Sequence, residues 1–182
     1  MIEEVPMPVD TRDLLDELRG VKSQESLLTV LKRWAERYSI FEIVRLQGFT
    51  AKEMENLHPA AYREELLRKH GEWLITTLKE IRSARPRENG AIDFEEYSDF
   101  MKHVIENMSR VEDSAERDAL ILHTLCALYK IFIAKAPVHM VGTPFPGGFR
   151  VQKIGEEYFC PVKEKQKDVP GALCRFCVAK QL

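Results

Sequence analysis

No run of apolar residues in this sequence approaches the roughly 20 needed to span a bilayer. No polyelectrolyte character marks it either: 27 Lys and Arg stand against 29 Asp and Glu, a formal net charge of -2. A membrane partner is therefore not expected, and attraction to nucleic acid would need a local patch. The opening residues Met1 to Pro6 lack the basic start and apolar stretch of a secretion signal. Also missing are the Gly-x-Ser-x-Gly elbow, the His-Glu-x-x-His motif and the dinucleotide fingerprint. The glycine-rich turn from Gly142 to Gly148 has neither the lysine nor the hydroxyl residue of a phosphate loop. Hydrolase and dehydrogenase readings lose most of their support, and whether the protein is an enzyme stays open. No internal repeat or sustained heptad suggests a solenoid or coiled coil. The expectation is a soluble cytoplasmic protein whose cysteines are reduced thiols.

What is present is ample material for a core: 45% of the 182 residues are hydrophobic and 31% charged, which argues against intrinsic disorder. Helical punctuation dominates to residue 136. Asp10 and Thr11 can cap a short helix carrying Leu14, Leu15 and Leu18, stopped by Gly20. Ser23 caps a second helix whose apolar face runs through Leu27, Leu31, Trp34, Tyr38 and Phe41 to a stop at Gly48. Thr50 to Glu53 has the pattern of a capping box opening a short turn or helix, and Pro59 suits the first turn of a longer one. That longer helix buries Tyr62, Leu66, Trp73, Thr77, Leu78 and Ile81 and closes at Pro86, before a loop at Glu88-Asn89-Gly90. Asp93 caps a helix with Phe94, Tyr97, Met101, Val104, Ile105 and Met108, and Ser114 caps the most apolar, central one, from Ala119 to Ala134.

At Pro137 the grammar changes to turns. Phe149 to Lys153 and Glu157 to Phe159 read as a hairpin around Gly155, and Ala172 to Leu182 as a terminal helix or turn. The predicted fold is mainly α: a bundle-like domain of five or six helices over 1–136, with a turn-rich hairpin and cysteine segment, 137–182, packed on it.

Three of the four cysteines lie in the last twenty-three residues, as Cys160-Pro161 and Cys174-Arg175-Phe176-Cys177. Two thiolates at the second spacing can face one metal ion, and a third nearly completes a tetrahedral shell. His139, at the junction of helix and tail, is the preferred fourth ligand. Cys126 is its rival, but a lone cysteine in an apolar helix is more often a small core residue. Zinc is the first choice, because a structural Cys3His set is ordinary and the spacer between Cys160 and Cys174 resembles that of zinc ribbons. An iron–sulfur cluster with an open fourth position is the alternative. The bland reading is three reduced cysteines packed in a small tail.

Other constellations are weaker. Glu55-Asn56-Leu57-His58 has the carboxylate-histidine spacing of di-iron bundles, but it is a single copy followed by Pro59, which suits a capping or surface role. His123 and Cys126 read as core residues, His70 as a hydrogen-bonded interfacial histidine, and His103 as exposed. From Gly148 onward seven Lys and Arg face four Asp and Glu, with Phe149, Tyr158, Phe159 and Phe176 interleaved, a minor argument for nucleic-acid binding.

The segments Thr143-Pro144-Phe145-Pro146-Gly147-Gly148, Tyr158-Phe159-Cys160-Pro161-Val162-Lys163 and Gly171 to Ala179, within residues 137–181, resemble an uncharacterised family found mainly in methanogenic archaea and classed as a domain of unknown function. That resemblance implies an archaeal cytoplasmic protein in which iron–sulfur chemistry is common, and it carries no activity, substrate or catalytic residue. The expected function is a metal-binding module, with structural zinc, acting through an interaction surface and an unknown protein partner.

Overall fold

Small polar residues decide where the helices start. The computed structural model describes residues 11–86 and 90–182, so the expected cap at Asp10 and the loop residues Glu88 and Asn89 lie outside the described residues. Helix α1 runs Thr11–Arg19 and buries Leu14 and Leu18. Helix α2, Gln24–Ala35, begins at a reciprocal cap: Ser23 Oγ accepts from the Ser26 N–H at 3.1 Å and Ser26 Oγ accepts from the Ser23 N–H at 2.9 Å.

The stripe from Leu27 to Phe41 is divided between two helices. Ser39 opens helix α3, Ile40–Glu53, its backbone N–H donating to the Glu42 carboxylate at 2.9 Å and its hydroxyl accepting from Phe41 N–H at 3.2 Å. Tyr38 stays buried in the joint, but Phe41 is 80% exposed, because the new helix turns Ile43 and Leu46 to the core. Gly48 therefore lies inside a helix. Thr50 to Glu53 ends α3 instead of opening a helix, and the Thr50 hydroxyl bonds back to Leu46 O at 3.1 Å.

Helix α4, Ala60–Ser83, is the longest, with Pro59 at its N-cap. Its second half buries Trp73, Leu74, Thr77, Leu78 and Ile81, whereas Tyr62 and Leu66 are only half-buried because they line a cavity. Helix α5, Phe94–Ser109, is capped by Asp93, which accepts from Glu95 and Glu96 N–H at 3.0 and 3.1 Å. Phe94 is exposed at its first position. Helix α6, Ser114–Leu128, takes its cap from Asp113, whose carboxylate accepts from Ala115 and Glu116 N–H, both at 2.9 Å; Ser114 is the first helical residue.

The central helix then widens to a π-helical turn, Tyr129–Ala134, ending at Lys135 in the left-handed region. Pro137 has no N–H to give the Phe132 carbonyl five residues earlier, and the buried Gln24 side chain supplies the donor at 2.8 Å. Around this segment Phe132 meets Tyr97 and Phe100 edge-on, with ring centroids 5.3 and 5.6 Å apart.

The tail adds strands β1, Gln152–Ile154, and β2, Glu157–Cys160, paired antiparallel around Gly155. Gly155 has φ +60° at the first central position of a two-residue turn, the position for which a type II′ hairpin selects glycine. A four-residue helix α7, Lys163–Gln166, and a 3-10 turn, Cys174–Phe176, follow. Of the terminal helix or turn expected over Ala172 to Leu182, the 3-10 turn is found, and the chain then ends in a short strand β3, Lys180–Gln181, parallel to β2 with Cys160 opposite Gln181. The tail has a small hydrophobic cluster of its own, built on buried Val151, Cys160 and Ala179. It is held to the helices by Phe176, which joins the main core 5.1 Å from Phe100, and by a bidentate pair of Arg150 with Glu65 on α4. Among the described residues no helix is long and apolar enough to cross a membrane.

Candidate metal centre and adjoining cavity

Strand pairing and the 3-10 turn bring Cys160, Cys174 and Cys177 to the wall of one cavity of about 510 Å³. Cys160 ends β2; Cys174 and Cys177 bracket the 3-10 turn, which the chain reaches by doubling back over α7. Lys163 fixes that return, its ammonium donating to the carbonyls of both Cys174 and Cys177, the second at 2.6 Å.

The sulfurs have the surroundings of acceptors. Burial raises the pKa of Cys160, while the nearby backbone N–H groups of Val162 and Lys163 pull the other way. Cys177 Sγ accepts from Val138 N–H at 3.4 Å. Burial, then repulsion from Cys160 and Cys177, pushes Cys174 up to about 11. Charge on neighbouring sulfurs thus opposes the ionisation of Cys160 and Cys174, a cost that a shared cation removes. Among the described residues, no three His, Cys, Asp or Glu side chains stand close enough together to enclose a metal ion as they are placed.

His139 lines the same cavity, together with His123. Cys126 is fully buried in α6; its electrostatic neighbours are Lys130 and Glu80, and it does not line the cavity. His58 and Glu55 are exposed, in keeping with a surface role. His103 is not exposed as expected but half-buried against Phe176, 5.7 Å between ring centroids.

Behind this cavity lies a second of about 240 Å³, with His123, His139 and Phe145 in the walls of both. Here the helices bring together what the sequence keeps apart: His70 of α4 and His123 of α6 meet Nε2 to Nε2 at 2.6 Å. One of the pair must donate. His70 Nδ1 is buried without a partner, which is cheap for a bare lone pair and costly for an N–H. His70 therefore donates from Nε2 and His123 accepts. Burial lowers the pKa of His70 to about 4 and of His123 to about 3, the latter also through His70. His139 is accessible, but its accessible surface faces the cavities, and the protein around it lowers its pKa as well.

His70 and His123 were each legible as histidines on apolar faces, but their meeting was not. Helical periodicity states which face of each helix is buried and says nothing of the register between two helices.

The model of a family described as an uncharacterized protein conserved in archaea (DUF2115) matches residues 23–182. A UPF0305 protein of Methanothermobacter thermautotrophicus is 30% identical, the match covering 87% of this chain and 96% of the relative. The UPF0305 protein MJ0646 of Methanocaldococcus jannaschii is 32% identical over 89% of this chain and 98% of its own length. In Methanopyrus kandleri, UPF0305 protein MK0666 is 34% identical over 69% of this chain and 87% of its own. No solved structure gives a significant match.

Proposed function

Since this chain belongs to the archaeal family DUF2115, described as an uncharacterized protein conserved in archaea, its chemistry is read here from its geometry: we propose that it is a metal-binding module whose tail is stapled by a metal ion on Cys160, Cys174 and Cys177. The observation that carries this is the convergence of the three sulfurs on one cavity wall beside backbone N–H groups: Val138 donates to Cys177 Sγ at 3.4 Å, and those of Val162 and Lys163 favour the charged form of Cys160. A thiol that merely fills space needs no such donors; a thiolate ligand does. The small tail core of Val151, Cys160 and Ala179 supports the same reading, because so little apolar burial leaves the tail in need of a cross-link.

Zinc is the metal this donor set suits best, with His139, on the shared cavity wall, as fourth ligand. The role of such a closed site is structural, and the protein acts through what its surface and cavities bind.

A second reading is favoured by the cavity of about 510 Å³ directly in front of the cysteines. It has room for an iron–sulfur cluster on three thiolates, with the fourth position turned toward His139 and a small molecule. Contact of the basic tail with nucleic acid has no comparable observation behind it.

Elemental analysis with an absorption spectrum, on protein purified without oxygen or added metal, separates the readings. About one zinc per chain and no colour supports the first. Iron with sulfide and a brown chromophore supports the second. Neither metal in the purified protein, together with no uptake of Co²⁺ into a thiolate charge-transfer spectrum, sinks both.

A further inference from the structure

The cavity behind the cysteines has walls of one electrostatic kind. Its ionisable groups are Lys69, His70, His123 and His139, with the phenol of Tyr62, and among the described residues no Asp or Glu lines either this cavity or the larger one beside it. The rest of the lining is apolar, with Trp73 and Phe145 prominent. Trp73 is nearly fully buried and gives the cavity an aromatic face. Lys69 pairs with Glu72 at 3.2 Å, and Glu72 is held equally by Arg68 at 3.2 Å, so the lysine can turn to a ligand without stranding a charge.

From this arrangement we propose that the cavity bounded by Lys69, His70, His123, His139, Trp73 and Phe145 is a binding site for a small organic carboxylate, its anionic end held by the ammonium of Lys69 and its apolar body against the two aromatic rings. The size agrees: an apolar cavity of about 150 Å³ accepts benzene, and this one offers about 240 Å³. The shape of the site, mostly apolar with a few convergent polar groups, is that of small-molecule pockets generally. The proposal does not depend on whether the neighbouring sulfurs hold metal.

Isothermal titration calorimetry on the full chain decides it, with benzoate as the probe and benzamide as its uncharged counterpart. Benzoate binds saturably, benzamide binds roughly tenfold or more weakly, and inorganic phosphate at the same concentration does not displace benzoate, because it has no apolar body. Lys69→Met, which keeps the length of the side chain and removes its charge, weakens benzoate by a similar factor, and Lys69→Arg restores most of it. Equal binding of benzoate and benzamide, or unaltered benzoate binding by a folded Lys69→Met protein, overturns the charge argument. Displacement by phosphate overturns the apolar one, and no benzoate heat at all overturns the site. Should Lys69→Met lose its helical circular dichroism, the comparison of the two probes on the unaltered protein still decides.

Discussion

Single side chains carry the link between tail and core. Phe176 sits between Phe100 and His103 and is 6% exposed. Phe176→Ala is expected to cost about 3–5 kcal/mol, the range for deleting a buried aromatic ring. That loss is large against a total stability of roughly 5–15 kcal/mol. A urea titration checks the magnitude, and limited proteolysis should cut the tail first. A midpoint unchanged from the parent protein would mean that the ring adds nothing to docking. At the same scale, Cys174→Ser is expected to lower metal content to background while the helical circular dichroism stays, and His139→Ala is expected to weaken metal retention more than Cys126→Ala does in a chelator competition. The difference follows from position, since His139 is on the cavity wall and Cys126 faces Lys130 and Glu80 inside α6. The cysteine trio was legible in the sequence because its spacing is local to one segment. The exposure of Phe41 was not, because it depends on Ser39 starting a new helix two residues earlier, and a capping residue inside an apolar stripe reads equally well as part of the stripe.

Whole elements were legible where start and stop signals are themselves local. Asp93 before α5 is an instance: its carboxylate takes two backbone N–H groups, and Asp93→Ala should destabilise by about 1 kcal/mol in a thermal or urea melt. The hairpin at Gly155 is another, since glycine with φ +60° marks the turn and any other residue there bears roughly 1–2 kcal/mol of left-handed strain. Among the elements that escaped, two show why. The parallel strand β3 is only two residues long and exists because it lies along β2, with Leu182 N–H also bonded to Cys160 O at 3.0 Å; two residues give no periodicity to read. The π-helical turn needs Gln24 from α2 to satisfy Phe132 O, a contact between residues 108 apart in sequence. The mainly helical architecture, with a small hairpin after the central helix, was plain from hydrophobic spacing and the change to proline and glycine at residue 137.

At the scale of the molecule, the histidines couple stability to pH. The pKa of His70 falls from the ordinary 6.5 to about 4, chiefly through burial, and that of His123 falls to about 3. The unfolded chain therefore binds protons on these side chains at a higher pH than the folded one does, so their contribution is present above about pH 6.5 and is lost as pH falls through the folded values. The urea midpoint should drop between about pH 6.5 and 4, and His123→Gln should flatten that slope. An equally steep slope in the variant would assign the loss to other groups. The exposed apolar residues Ile40, Phe41 and Val44 stand together at the start of α3, on the side away from Ile43 and Leu46, where they face solvent. The hydrogen bond between His70 and His123 closes a loop of 53 residues. Local helices form on far shorter timescales than contacts of that separation. Either helix can form before that bond, but the chamber between α4 and α6 exists only once the two have docked, so amide exchange near His123 reports on whether the molecule has finished building itself.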